Sequence, residues 1–160
     1  MCIRDSYASM GVDAADFWAQ YDHMYIPELG HNVSVTDYAH TLYIRASWTD
    51  FNPQEDVYGW KIDSNLRAYI EGAYQRNMRL AFRVVVDSRD KRTEFTPQFV
   101  KDAGAKGFMN KGKWSPYSDD PIFQKYYTKF VKALAKDFND PSKVEFIDGF
   151  GLCLLYTSPS

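Results

Sequence analysis

The sequence predicts an α/β fold built on parallel strands, and two observations carry this prediction. Strand-like and helix-like segments alternate along the chain from residue 41 to residue 151. Residues 80–87, LAFRVVVD, form an almost uninterrupted apolar run, which is typical of a parallel strand covered on both faces. Because parallel strands need a crossover between them, the order strand, helix, strand, helix, strand predicts a sheet with helical crossovers.

The first half of the chain contains one clear strand and one long helix. Residues 7–11, YASMG, are interpreted as the remnant of an earlier strand, with a helix following at about residues 14–25. Residues 41–48, TLYIRASW, are rich in β-branched and aromatic side chains and predict a strand. Apolar side chains recur at helical spacing after Asp63, a residue that can cap a helix, so a helix is expected over residues 63–76.

The second half begins with a long stretch, residues 88–119, that is expected to be irregular apart from a short helix near residues 97–103. Asp120 and Pro121 are typical of a helix start, and the apolar stripe that follows them reaches Phe138. Asn139 and the residues after it are expected to end this helix. Residues 144–151, VEFIDGFG, predict the next strand.

Composition narrows the classes of partner. The formal net charge of −2, with acidic and basic residues interspersed, argues against nucleic acid as the main partner. No apolar run approaches the ~18–20 residues that cross a bilayer, so no membrane span is expected. Aromatic residues make up 17% of the chain, which suits both a packed core and stacking on sugar rings.

Both ends of the chain differ from its interior. Residues 1–6, MCIRDS, and residues 153–160, CLLYTSPS, match translations of the two strands of ATGTGTATAAGAGACAG, which resembles a transposon end used to prepare sequencing libraries. We therefore expect residues 1–6 and 153–160 to be adapter sequence, leaving residues 7–152 as a window from a longer protein. Both cysteines, Cys2 and Cys153, lie in these end segments, so residues 7–152 contain no cysteine. Neither a disulfide scaffold nor a metal site with cysteine ligands is expected in residues 7–152.

Two strands each carry an arginine on the face opposite their most apolar side chains. Arg45 shares a face with Tyr43, and Arg83 shares a face with Asp87, because side chains alternate along a strand. A cation on an inward face needs a partner, and the fourth strand offers Glu145. Arg45, Arg83 and Glu145 are therefore expected to form an interior charge network. It either fixes strand register or positions a catalytic carboxylate, and the sequence leaves both interpretations open.

Two acids come at the carboxyl ends of predicted strands, where α/β proteins place their chemistry. Asp87 ends the strand predicted at residues 80–87, and Asp148 lies near the end of the strand predicted at residues 144–151. Each is therefore a candidate site residue or a loop cap. His23, His31 and His40 have no metal-ligand spacing and are expected at the surface. The chain has no phosphate-binding loop, dinucleotide fingerprint or nucleophile elbow.

Residues 42–87, from LYIRASW to LAFRVVVD, resemble the second and third strand units of clan A glycoside hydrolases. The similarity is greatest to the family 42 β-galactosidases and to related uncharacterised bacterial glycosidase-like proteins. Four aromatic and proline positions carry it, namely Trp48, Pro53, Tyr58 and Trp60. Residues 114–138, WSPYSDDPIFQKYYTKFVKALAKDF, also resemble the approach to strand four in those families, whereas Asn52 stands where they commonly have glutamate.

The resemblance implies an incomplete (β/α)8 TIM barrel containing roughly the first four strand-helix units. It also implies a retaining glycoside hydrolase that uses two carboxylates, no metal and no organic cofactor, with a carbohydrate substrate. In clan A the acid/base glutamate follows strand four and the nucleophile follows strand seven, so both are expected outside this chain. The fragment itself is then expected to be inactive, and the parent protein to be extracellular or periplasmic.

The resemblance assigns site-supporting or substrate-binding roles to four residues of this chain. Arg45 matches the arginine of strand two that holds the nucleophile, and Trp48, Arg83 and Asp87 are further candidates for the sugar-binding rim. Asp148 is a fifth candidate because of its position near the end of a strand. Two alternatives remain open. One is a carbohydrate-binding barrel without catalysis, and the other is a metal-dependent barrel enzyme with acids at several strand ends.

Overall fold

The computed structural model describes residues 12–88, 93–148 and 152–153. The α-helices within these ranges are α1 (Ala14–Asp22), α2 (Trp48–Phe51), α3 (Gly59–Ile62), α4 (Ser64–Gln75), α5 (Gln98–Asp102) and α6 (Pro121–Asp137), and a short 3₁₀-helix covers Val35–Asp37. The strands are β1 (Met24–Ile26), β2 (His31–Val33), β3 (Thr41–Ser47), β4 (Arg79–Val85), β5 (Asp87–Ser88), β6 (Gly107–Asn110), β7 (Lys113–Pro116), β8 (Val144–Asp148) and β9 (Leu152–Cys153). The predicted strand at residues 7–11, the end of the predicted strand at residues 149–151, and residues 1–6 and 154–160, which we assigned to adapter, lie outside the described residues.

A three-stranded parallel sheet forms the centre of the fold, with β4 between β3 and β8. The β3–β4 register runs from Thr41 opposite Arg79 to Ser47 opposite Val85. In the chain, α4 connects β3 to β4, and α6 precedes β8. The predicted parallel pairing of these three strands is confirmed.

The predicted incomplete TIM barrel is wrong. A barrel closes only when every strand is paired on both sides at a common tilt. Among the residues that the structure describes, β3 and β8 each pair with β4 alone, while β1–β2 and β6–β7 are separate antiparallel pairs and β5–β9 is a separate two-residue parallel pair. The fold is a mixed α/β arrangement around a small open sheet.

The two long helices begin where their caps predict. The Asp63 carboxylate accepts the Leu66 N–H at 2.7 Å at the start of α4, and the Asp120 carboxylate accepts the Phe123 N–H at 2.8 Å at the start of α6. Each bond satisfies a backbone donor that the first helical turn leaves without an intrahelical partner. Pro121 occupies a position where its missing N–H costs nothing. No helix in the described ranges combines the length and apolar character needed to cross a membrane.

The core lies between one face of the parallel sheet and the helices. The sheet contributes alternate residues of β3 and β4, and these side chains are at most 6% exposed: Leu42, Ile44, Ala46, Leu80, Phe82 and Val84. The helices cover them with α4 and α6 side chains that include Leu66, Tyr69, Phe130 and Leu134. Full burial of one such side chain contributes about 1.5–3 kcal/mol, so this layer holds the sheet to the helices.

Helix α1 packs closely on α4 through an indole and a glycine. A β-carbon added at Gly72 would stand 2.1 Å from the Trp18 indole nitrogen, so only glycine permits this approach. The Trp18 N–H donates to the Ala68 carbonyl at 3.3 Å, and the Arg76 guanidinium lies 4.3 Å from the Trp18 ring centroid. Arg76 also donates from Nε to Asp22 at 2.8 Å, which fastens the end of α1 to the end of α4.

Several elements were not expected from the sequence. Helix α2 begins at a capping box in which the Ser47 hydroxyl and the Asp50 carboxylate each accept from the other's backbone N–H. The stretch predicted as irregular contains the β6–β7 hairpin in addition to α5, which confirms the short helix predicted near residues 97–103. Helix α1 ends at Asp22, earlier than predicted, because the chain turns there into β1.

Candidate strand-end site

The carboxyl ends of β3, β4 and β8 meet at one edge of the sheet because the three strands are parallel. Near this edge Arg45 is the register partner of Arg83, and Arg83 is the register partner of Asp148. Register partners on neighbouring strands share a face, so the three side chains form a row across the sheet. We call Arg45, Arg83 and Asp148 the strand-end cluster.

The strand-end cluster combines two cations with one carboxylate. The Arg83 Nε atom lies 3.6 Å from the Asp148 Oδ2 atom, and their side chains are 32% and 37% exposed. Arg45 is half-buried on the same face, whereas its neighbours Ile44 and Ala46 are buried on the core face. The predicted placement of both arginines opposite the most apolar side chains is therefore confirmed.

The predicted charge network of Arg45, Arg83 and Glu145 is wrong, because β8 contains a bulge. Val144 pairs with Leu80, but the next pair along the strands is Phe146 with Ala81, so Glu145 is an extra residue in β8. One inserted residue reverses which side chains face each side of a strand. Asp148, two residues after Phe146, consequently lies beside Arg83. Simple alternation from Val144 would have put Glu145 and Ile147 on that face instead.

Glu145 lies at the opposite end of the sheet from the strand-end cluster. Its carboxylate lies 3.5 Å from the Arg79 guanidinium and accepts a hydrogen bond from the Thr41 hydroxyl. Thr41 and Arg79 are the first residues of β3 and β4. Glu145 therefore joins the amino ends of three strands, which is a structural position far from the carboxyl edge.

Asp87 follows β4 at the carboxyl edge and its side chain is fully buried. With Ser88 it forms β5, and its register partner is Leu152 in β9. The preceding residue, Val86, is held by the Thr96 hydroxyl, which donates to its carbonyl at 3.0 Å. The structure thus buries the Asp87 side chain at this edge instead of exposing it to solvent.

Trp48 follows β3 directly and its side chain has no exposed surface. Its ring meets the rings of Phe99, Phe123 and Tyr127 edge to face at centroid distances of 6.4, 5.9 and 5.1 Å. Its indole N–H donates to the Asn52 side-chain oxygen at 3.3 Å. In this position Trp48 packs beneath the edge, and no face of its ring is available to stack on a sugar.

Asn52 has a role that the sequence did not suggest. Its side-chain amide donates to the Gln54 carbonyl at 2.7 Å and to the Val57 carbonyl at 2.8 Å while its oxygen accepts from Trp48. These three bonds shape the loop between α2 and α3. A glutamate, which has no N–H to donate, would lose the two bonds to the carbonyls.

Tyr127 on α6 is a second residue that sequence reasoning missed. Burial, together with the nearby negative charge of Asp148, raises the pKa of its phenol to about 12. The phenol therefore stays protonated at neutral pH. Its position in the apolar stripe of α6 conceals it in the sequence, since nothing there distinguishes it from Tyr126.

The three histidines lie where the sequence predicts them. His23, His31 and His40 are exposed, which confirms their predicted surface positions. Within residues 12–88, 93–148 and 152–153, no three histidine, cysteine, aspartate or glutamate side chains are grouped so that they could hold a metal ion.

No protein-family model matches this chain, and no curated protein matches it significantly.

Proposed function

We propose that this chain is part of a glycoside hydrolase and that the strand-end cluster contributes to its sugar site. The observation that carries the proposal is the row of Arg45, Arg83 and Asp148 at the carboxyl edge of a parallel sheet. Guanidinium groups donate several hydrogen bonds in a fixed geometry, and a carboxylate accepts them. A row with both kinds of group suits a ligand that carries many hydroxyl groups.

The chemistry proposed for the parent protein is a retaining displacement. One carboxylic acid protonates the leaving oxygen, and a carboxylate about 5–5.5 Å away attacks the anomeric carbon to form a glycosyl-enzyme. We assign both of these groups to sequence outside this chain, so the chain alone is proposed to be inactive. Arg45 and Arg83 would serve by donating charge-assisted hydrogen bonds that orient a carboxylate or a sugar hydroxyl.

A carbohydrate-binding protein without catalysis is the second candidate. It is favoured by the ion pair between Arg83 and Asp148, because the carboxylate that the cluster contains is already engaged by a cation. Such a pair recognises hydroxyl groups without any step of bond cleavage. The two candidates share the same ligand class and differ in whether the intact protein turns it over.

The experiment uses a longer product of the same gene and the 160-residue chain side by side. Hydrolysis of nitrophenyl glycosides and of lactose is measured for both, and the longer product is also tested as Arg45→Lys and, as a control, Arg67→Lys. Arg67 lies on the exposed side of α4 in a pair with Glu71. We expect hydrolysis by the longer product alone and a loss of turnover of about tenfold or more in Arg45→Lys, which keeps the charge but loses the planar fork.

Two results would contradict the proposal. Absence of hydrolysis by the longer product, together with retained sugar binding, would leave the binding protein as the better account. Equal turnover in Arg45→Lys and Arg67→Lys would remove Arg45 from the site even if the protein proves to be a glycosidase.

A further inference from the structure

The β6–β7 hairpin is a defined arm inside the stretch between β5 and α6. Its two strands pair from Gly107 opposite Pro116 to Asn110 opposite Lys113. The two turn residues, Lys111 and Gly112, have φ values of 49° and 76°, as a two-residue type I′ turn requires. The turn matches the twist of the strands, so the hairpin has one preferred geometry.

Hydrogen bonds fasten this arm to the carboxyl end of β3. The Glu94 carboxylate accepts the Trp114 N–H of β7, with both oxygens at 3.1 Å. The Thr49 hydroxyl donates to the Glu94 carbonyl at 3.2 Å, and the Thr49 N–H donates to the Phe95 carbonyl at 3.0 Å. Thr49 is the second residue of α2, which begins where β3 ends. The hairpin therefore has a fixed attachment to the segment that leaves the strand-end cluster.

One side of the hairpin carries an aromatic pair. The rings of Phe108 and Tyr117 lie 5.5 Å apart at an angle of 30°, and Tyr117 is 46% exposed. The Tyr117 N–H donates to the Lys106 carbonyl at 3.0 Å, so Tyr117 continues the pairing of the two strands. Alternation places Asn110 and Lys113 on the same side as the rings. We call Phe108, Tyr117, Asn110 and Lys113 the aromatic platform.

We propose that the aromatic platform binds a pyranose ring of a carbohydrate chain, in addition to the strand-end cluster. A pyranose has an apolar C–H face that packs on an aromatic ring and hydroxyl groups around its rim. The rings of the platform meet the first, while the Asn110 amide and the Lys113 ammonium supply hydrogen bonds to the second. Two aromatic rings offer much less surface than the roughly 800 Å² per partner of a stable protein interface. A platform of this size suits a single sugar ring.

The choice of a sugar as the ligand of the aromatic platform rests on the proposed function. The platform extends that function, because a second sugar contact implies a substrate longer than a monosaccharide. It is tested on the 160-residue chain by binding alone. Affinities for galactose and for a β-1,4-linked galactotetraose are measured by titration calorimetry. Backbone amide shifts in ¹⁵N spectra of the unmodified chain show which residues the tetraose touches.

The variants separate stacking from folding and from nonspecific effects. Tyr117→Ala removes the exposed ring, Tyr117→Phe keeps the ring without its hydroxyl, and Tyr38→Ala removes a tyrosine that is 64% exposed elsewhere. We expect Tyr117→Ala to weaken tetraose binding about threefold to tenfold, with galactose binding unchanged. Tyr117→Phe and Tyr38→Ala should bind the tetraose as the unmodified chain does. Circular dichroism shows whether each variant is folded.

The outcomes distinguish this proposal from the proposed function. Tetraose-dependent shifts at residues 106–117 and a loss of affinity in Tyr117→Ala support the platform. Tetraose binding that leaves these amides unshifted overturns the platform, whether or not Tyr117→Ala folds, and leaves the proposed function in place. No binding of the tetraose also overturns the platform, while the hydrolysis assay on the longer gene product decides the proposed function separately.

Discussion

Arg83 on β4 and Asp148 on β8 are register partners whose charged groups lie 3.6 Å apart at the carboxyl edge of the sheet. The pair links the central strand to the strand that holds the bulge at Glu145. Because each side chain is about one-third exposed, water screens the attraction between them. The pair is therefore better suited to presenting charge at the edge than to stabilising the sheet.

The first prediction concerns the energy of this pair. A double-mutant cycle with Arg83→Met and Asp148→Asn should give a coupling energy of about 0.5–1 kcal/mol. Urea unfolding of the four proteins measures it, and 1 M NaCl should reduce it. A coupling energy of roughly 3 kcal/mol or more, as buried pairs give, would show that the pair is mainly structural.

The second prediction assigns Trp48 to the core. Trp48→Leu should lower the free energy of unfolding by about 3 kcal/mol, because it leaves a cavity among four buried or half-buried aromatic rings. Met109→Ala, at a side chain that is 65% exposed, is the control and should change it by about 0.5 kcal/mol or less. Circular dichroism during urea unfolding measures both. A loss in Trp48→Leu no larger than in the control would contradict the placement of Trp48.

The third prediction is a pH dependence that comes from Asp22. The hydrogen bonds from Arg76 hold the pKa of the Asp22 carboxyl below its usual range. Since the folded-state pKa is lower than the unfolded value of about 3.9, the stabilisation is present above that pH and is lost as the pH falls through the folded-state pKa. Asp22→Asn should therefore be less stable than the unmodified chain at pH 7, by about 1 kcal/mol.

The stability difference between Asp22→Asn and the unmodified chain should shrink as the pH falls below about 4. Thermal unfolding at a series of pH values measures it. Glu28→Gln is the control, at an exposed position between β1 and β2. A difference that persists unchanged at the lowest pH at which the chain folds would mean that Asp22 acts through packing and not through its charge.

The fourth prediction concerns association through the open sheet. Phe146 is 49% exposed on the face of the strand-end cluster, where its ring lies 6.2 Å from that of Tyr43. Parallel sheets usually have both faces covered, so this aromatic surface favours association. The chain should sediment with a mass that rises with concentration, and Phe146→Ser should reduce that rise. Tyr25→Ser, at a residue of β1 that is 59% exposed, should not. A monomer at every concentration would contradict this prediction.

The sequence was sufficient where local chemistry decides the structure. Asp63 and Asp120 cap helices wherever their side chains can reach the first turn, so the starts of α4 and α6 were predictable. Alternation also placed Arg45 on the correct face of β3, because that strand has no irregularity. These features depend on neighbours within a few residues.

The partner of Arg83 was not predictable, because it depends on a bulge that leaves no mark in the alternation of VEFID. Because of the one extra residue in β8, Asp148 lies beside Arg83 in place of Glu145. Both residues are acidic, and the sequence offered both as candidates. The barrel prediction failed for a related reason, since closure depends on strand pairing across the whole sheet. The β6–β7 hairpin did have a signal, the Lys111-Gly112 pair between two short alternating segments, which the interpretation as an irregular stretch overlooked.

The most direct test of the central claim is covalent trapping of the longer gene product with an activated 2-deoxy-2-fluoro galactoside. A retaining glycosidase forms a glycosyl ester between the sugar and its nucleophile. The fluorine slows hydrolysis of this ester, so that the ester accumulates and mass spectrometry detects it. We predict one adduct per molecule, on a glutamate outside the 160 residues of this chain, formed at least about tenfold more slowly in Arg45→Lys. Glycoside hydrolysis without any adduct, an adduct on Asp148, or neither hydrolysis nor an adduct would contradict the account.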